Sequence, residues 1–377
     1  MRADNVQIII VLFVSVLTCT SCNTKTVQQQ LNVETEIINF SSFKKIEISS
    51  MPESIVTDTS YVKLDGSFDD IIFRESNIIK IKNNRIFILD VMLRKLVVFD
   101  STGAGLGKVG SRGQGPGEYL RIHDFCVSDA GDIYLKDGSG GKGETARLFV
   151  YNKDFELLSV QQLPFSPNYI QRLNNDNFLF ALNSFNKGNN ASIQIVLTND
   201  KFKTETAYLQ FDEYVDENFI LGIGTFTCFD DKILYLRTID NYVYEFSNEG
   251  KPLKTYFFDF GNRDVPNNVR KNIEGNWEEL KRYSCIEKIV LINEKYIAGT
   301  LFEDHVYKSF IVDRIENCLY VLNRPQKGFH DILWCYENNL VSCIYPGIED
   351  IQSVNLPKDV KDHIDNENFV LCMYKLR

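Results

Sequence analysis

The chain has 377 residues, of which 44% are apolar, 12% aromatic and 24% charged, the composition of a globular protein able to bury a large core. That excludes a disordered chain, a collagen and a polytopic membrane protein. Fifty-one Asp and Glu against forty-one Lys and Arg leave a net charge of −10 with no long basic run, which excludes a phosphate-driven nucleic-acid role.

Residues Met1 to Cys22 carry a basic Arg2, an apolar stretch from Ile8 to Leu17, and small residues at Thr20 and Ser21 ahead of Cys22. The stretch is too short to span a membrane and has the plan of a secretory signal. Its Thr-Ser-Cys ending is similar to a bacterial lipoprotein signal, although Cys19 stands where Leu is commonest. The resemblance implies a signal peptide over 1–21, with Cys22 lipidated and holding the chain to a membrane of the bacterial envelope. The competing reading is a plain secretion signal cut nearby. The polar run Asn23 to Asn32 has little to bury, so 22–60 is expected to be a flexible tether and lead-in.

From Tyr61 onward one unit recurs six times: a short apolar strand, a tight turn of Asn, Asp, Glu or Gly, and a second apolar strand. The units are Ile81 to Leu89, Val127 to Leu135, Leu173 to Phe180, Phe229 to Leu236, Ile292 to Ala298 and Tyr336 to Ile344. Their second strands open at Ile86, Ile133, Phe178, Ile233, Tyr296 and Leu340, at separations of 47, 45, 55, 63 and 44 residues. Such a period holds four strands of about 5 to 6 residues with their turns. Third strands are visible at Leu96 to Asp100, Leu148 to Tyr151, Val243 to Ser247 and Ser309 to Val312. The pattern predicts an all-β, six-bladed β-propeller of four-stranded antiparallel blades over 61–377. A parallel α/β fold fails for want of helices between the strands. The strand at Phe369 to Leu376 is expected to share a blade with Tyr61 to Leu64 and so close the ring.

The 63-residue interval holds Val269, Ile273, Trp277, Leu280 and Tyr283 at helical spacing, which predicts one inserted amphipathic helix over 266–283 with Glu278 and Arg282 able to pair. A shorter helix is expected at Leu356 to Ile364. Seven cysteines follow Cys22, and most lie in strand-like apolar runs. Buried thiols are favoured there; a disulfide between two of them stays open.

Between the first two units lies Arg112-Gly-Gln-Gly-Pro-Gly-Glu-Tyr119, a tight, pre-set turn. Together with Phe87-Ile-Leu-Asp90 and Val97-Val-Phe-Asp100, this string resembles the six-bladed β-propeller lipoproteins of Gram-negative anaerobes, which are related to NHL-repeat propellers. The resemblance implies a fold and an envelope location and no particular activity. The string is not a phosphate cradle, because it lacks the Gly-Lys-Ser/Thr ending and opens a strand.

Loops leading into the innermost strands ring the mouth of a propeller, where ligands bind. Two of them echo one another: Tyr119-Leu-Arg-Ile-His-Asp124 and Lys327-Gly-Phe-His-Asp331. Arg112, Tyr119, Arg121, His123, Asp124, His330 and Asp331 are therefore the candidate ligand-binding residues. In the competing reading each Asp bonds its own turn and each His fills a blade edge. No catalytic serine, cysteine or His-Glu-x-x-His motif is present, and neither a cofactor nor a metal is specified. The expected function is a binding module for a glycan, a peptide or an envelope protein; the alternative is a metal-dependent lyase or hydrolase working in the central channel.

Overall fold

A computed structural model of the chain describes residues 31–65, 78–138, 146–183, 186, 192–211, 226–237, 239, 241–273, 275–322, 332–346 and 356–377. The expected signal peptide and Cys22 lie outside them. Three strands precede the first repeat: β1 (Thr35–Asn39), β2 (Lys44–Ile48) and β3 (Val56–Lys63). Blade 1 is β4 (Ile78–Lys82), β5 (Arg85–Asp90), β6 (Lys95–Asp100) and β7 (Gly105–Val109). Blade 2 is β8 (Ile122–Val127), β9 (Ile133–Asp137), β10 (Arg147–Tyr151) and β11 (Leu157–Gln162). Blade 3 is β12 (Pro167–Arg172), β13 (Phe178–Leu182), β14 (Ile193–Thr198) and β15 (Thr204–Gln210). Blade 4 is β16 (Thr227–Phe229), β17 (Lys232–Arg237), β18 (Tyr242–Ser247) and β19 (Pro252–Asp259). Blade 5 is β20 (Cys285–Ile292), β21 (Tyr296–Glu303), β22 (Val306–Asp313) and β23 (Cys318–Leu322). Blade 6 is β24 (Trp334–Tyr336), β25 (Asn339–Ile344) and β26 (Val370–Leu376), completed by β3.

Every predicted unit is an antiparallel hairpin made by the first two strands of a blade. In blade 1 Asn83 and Asn84 have φ of 51° and 56°, the two-residue turn that Asn supplies at low steric cost. The turns after the third strands share a second device. The side chains of Asp100, Asn152, Asn199 and Ser247 each accept backbone N–H bonds from residues two and four further on. The residue between then takes a positive φ: Gly103, Phe155, Phe202 and Gly250. Phe155 and Phe202 accept that conformation because their rings are packed, one against Gly107 and the other among Phe178 and Phe180.

The ring closes as expected, with β26 antiparallel to β3 and Leu371 opposite Val62. The expected tether is corrected in part, because sheet structure starts at Thr35. β1 adds parallel to β19 and β2 adds parallel to β23, so blades 4 and 5 each carry a fifth, outermost strand. Burial and charge hold this belt in place. Phe40 packs with Phe258, Phe260 and Phe310 at ring distances of 5.9, 4.5 and 5.4 Å, Glu36 pairs with Lys254 and Arg314, and Lys45 reaches Glu303 at 3.0 Å.

The inserted helix is corrected to two single turns, α1 (Asn267–Arg270) and α2 (Trp277–Leu280). Asn272 ends the first stretch by accepting the Gly275 N–H through its side chain at 2.9 Å, and Glu278 pairs with Lys281 in place of Arg282. The apolar spacing still reports burial: Val269, Ile273 and Leu280 form a small core with Val265, Cys285 and Phe302. The shorter helix is present as α3 (Lys358–Asp365), with Val360 and Ile364 buried against blade 6. The seven cysteines after Cys22 are all free, and burial pushes the thiols of Cys126 and Cys372 up to about 12.

Candidate functional site

In an antiparallel four-stranded blade the start of the first strand and the turn joining second to third lie on one face. All the lead-ins to the inner strands therefore emerge on that rim. The lead-in to blade 2 is folded on itself: Tyr119 donates to the Ser111 carbonyl at 3.1 Å, and Gly113 donates to the Tyr119 carbonyl at 3.0 Å. Glu118 accepts the Gly115 N–H at 2.7 Å. Gly110 sits at φ 65°, and a Cβ there would come within 2.2 Å of the Tyr151 hydroxyl. Only glycine fits a left-handed position so close to another side chain.

Tyr119 anchors this loop. It is 1% exposed, and its ring meets Phe149 edge-on at 6.3 Å. Asp124 is buried completely, on the inner strand β8. One of its oxygens pairs with Lys80 of blade 1 at 3.1 Å and the other accepts the Ile170 N–H of blade 3 at 2.8 Å, so one carboxylate joins three blades. Lys80 also donates to the Phe125 carbonyl. Similar inner-strand links run from Thr227 to the Ile289 carbonyl at 2.9 Å and from Lys288 to the Leu333 carbonyl at 2.6 Å. Tyr119 and Asp124 are thus parts of the framework, and both Asp124 oxygens are taken up by neighbouring blades. Expected site residues His330 and Asp331 lie outside the described residues.

Arg112 and Arg121 are exposed and His123 is half-buried. A register shift in the β8 to β9 pairing leaves His123 as the extra residue of a bulge, a device that re-aims a side chain. Two residues missed in the sequence stand close by. Arg94, in the turn joining β5 to β6, donates to the Leu120 carbonyl at 3.3 Å. Lys136 near the end of β9 is 1% exposed and donates to the Gly138 carbonyl at 2.6 Å. Carrying the repeat one blade back would have found Arg94, since its turn shares the rim.

The nearby carboxylate is committed elsewhere: Asp137 accepts the Leu120 and Arg121 N–H groups at 3.0 and 2.7 Å and pairs with Arg147 at 2.5 Å. Burial, then Lys136, Arg94 and Arg121, push the His123 pKa down from 6.5 to about 4, with Asp137 opposing. At pH 7 its imidazole is neutral, offering one donor and one acceptor, and it has no hydrogen-bond partner among the described residues. The arrangement suits an anion that also accepts or donates a hydrogen bond. Among the described residues no group of three His, Cys, Asp or Glu stands together to hold a metal.

A family model described as Domain of unknown function (DUF4934) matches residues 34–368. No curated protein matches the chain. Among solved structures it is similar to a candidate exported protein of Bacteroides fragilis, at 18% identity and a TM-score of 0.71 over 91% of this chain and 100% of that one. It is also similar to a member of the DUF4221 family from Bacteroides vulgatus, at 10% identity and a TM-score of 0.52 over 85% of this chain and 97% of that one. At such identities the likeness is one of fold.

Proposed function

We propose, for a chain that belongs to the family Domain of unknown function (DUF4934), a binding role in the bacterial envelope: a lipid-anchored propeller that takes an anionic group at the blade 2 rim. Arg94, Arg121 and Lys136 supply the positive field, His123 supplies a directional hydrogen bond, and exposed Arg112 extends the charge outward. The ligand is the acidic portion of a glycan or peptide of the envelope. One observation carries this reading: Lys136, Arg94 and Arg121 all act on the His123 imidazole and hold it neutral, and that imidazole has no hydrogen-bond partner among the described residues. The location rests on the Thr-Ser-Cys signal and is supported by the exported Bacteroides fragilis neighbour.

Calorimetric titration with sodium sulfate at low ionic strength tests the site. Binding of one sulfate per chain is expected, at least tenfold weaker in Arg121→Ala and weakened by added chloride. Equal sulfate affinity in the wild type and Arg121→Ala refutes the assignment. For the anchor, Cys22→Ala should release the chain from the membrane fraction, and unchanged fractionation counts against lipidation.

A further inference from the structure

Every blade ends in an outer strand whose far side presents unpaired N–H and C=O groups unless something covers it. The protein covers two of these edges itself, with β1 parallel to β19 on blade 4 and β2 parallel to β23 on blade 5. A blade edge in this fold therefore accepts a further strand. Among the described residues β7, β11, β15 and β3 are the outermost strands of the other four blades.

Three of these four carry charge, a guard against pairing with another chain: Lys108 on β7, Glu205 on β15, and Asp58 and Lys63 on β3. The added strands are guarded in the same way, by Glu36 on β1 and by Lys44, Lys45 and Glu47 on β2. Only β11, with the sequence Leu-Leu-Ser-Val-Gln-Gln, has no charged residue, and it has no proline or glycine either. Its Leu157, Leu158 and Val160 are 42%, 58% and 41% exposed, so three large apolar side chains stand in water on one short strand.

The edge is also preformed. Val160 stands opposite Phe149, which is buried between blades 1 and 2. The one register shift lies at the Leu157 end, which leaves Ser159 to Gln162 in regular pairing with β10. Gln161 donates to the Ser159 hydroxyl at 3.2 Å and Gln162 to the Ala146 carbonyl at 2.8 Å.

We propose that β11 is a self-association edge, pairing antiparallel with β11 of a second copy of this chain so that two four-stranded blades become one continuous sheet. Charge selects that occupant. Each chain carries −10, so two copies repel where charged surfaces meet, and β11 is the outer strand that brings no charge of its own to the contact. A strand that meets its own copy about a two-fold axis needs no second sequence, and Leu158 and Val160 of each copy gain a cover. A charged segment would set its charge over those apolar side chains, and a lipid surface would leave the free backbone groups of the edge without partners. Six residues make a small interface, so the dimer is weak and concentration-dependent. The inference does not depend on the anion site, which lies on the rim of blade 2 and shares no residue with β11.

The test is sedimentation velocity of the full chain over a hundredfold range of concentration, with hydrogen exchange measured at both ends of the range. A monomer–dimer equilibrium is expected, strengthened by added sodium chloride because screening lowers the repulsion between two acidic chains. The β11 amides should exchange more slowly at the higher concentration. Leu158→Lys and Val160→Lys, each placing a charge on the edge, should weaken the dimer at least tenfold with the melting temperature unchanged. Leu106→Lys makes the same charge change at an exposed position of β7 and should dimerise as the wild type does. The proposal is overturned if the chain stays monomeric across the range, if the slowed exchange falls on another strand, or if Leu158→Lys and Val160→Lys dimerise as the wild type does.

Discussion

The lead-ins to blades 2 and 5 meet the same geometric need, carrying the chain from an outer strand back to an inner one, by opposite means. Before blade 2 the connection is short and glycine-rich, with Tyr119 buried and Asp124 tied to two other blades. Before blade 5 it is long and builds its own small core under α1 and α2. At blade 2 the loop is rigid because it belongs to the ring's framework, and the charges it presents are held at fixed positions. At blade 5 the loop is locally self-sufficient, and its outer side carries Trp277, 36% exposed, against Phe302 and Lys281. Residues that look alike in sequence therefore differ in consequence according to which lead-in they occupy.

That contrast is sharpest in the buried ion pair. Lys80→Ala leaves the Asp124 carboxylate buried without its cation and should cost about 3 to 5 kcal/mol in denaturant unfolding. Glu278→Ala, at an exposed pair in the other lead-in, should stay within about 0.5 kcal/mol. Equal losses would end the distinction.

Glycine substitutions come next in size. Gly110→Ala combines a left-handed φ with the 2.2 Å approach to Tyr151 and should destabilise by about 1 to 3 kcal/mol or more. Gly275→Ala would meet only the movable Asn272 side chain, and the lost cap is offset by better helix propensity, leaving a net change of about 1 kcal/mol or less.

The effect of pH is smaller and carries a definite sign. The unfolded chain binds a proton at His123 near its ordinary pKa of 6.5, whereas the folded chain does so only near about 4. Stability at this residue is full above pH 6.5 and falls as the pH drops toward 4, because the unfolded state then holds more protons. His123→Gln should flatten that part of the pH dependence of the melting temperature. Arg121→Ala, on the exposed side, should alter stability least, within about 0.5 kcal/mol.

Much of the ring was legible because turn chemistry is local. Asn83-Asn84, Gly103 and Gly250 mark turns by residue type alone, and the hairpins follow. Phe155 and Phe202 occupy equivalent turns and gave no such signal, since their conformation is held by packing. The belt of β1 and β2 escaped notice because a short parallel strand at a sheet edge depends on a partner more than two hundred residues distant, as Glu36 does on Lys254 and Arg314. At the proposed site, the placing of Arg112, Arg121 and His123 on the lead-in to blade 2 was readable from the sequence. The burial of Tyr119 and Asp124 was not, because an aspartate beside a histidine reads alike whether it serves a ligand or a neighbouring blade. Helical spacing over 266–283 identified Val269, Ile273 and Leu280 as buried, placed Trp277 on the same face although it is 36% exposed, and said nothing of the break that Asn272 and Gly275 impose.

The claim that the blade 2 rim holds an anion beside a neutral imidazole is tested most directly by nuclear magnetic resonance of the histidine side chains, of which the chain has only four. Titrated without sulfate, His123 should lose its proton near pH 4, and saturating sulfate should raise that value, with the rise much reduced in Arg121→Ala. A His123 that titrates near 6.5 and does not respond to sulfate would contradict the account.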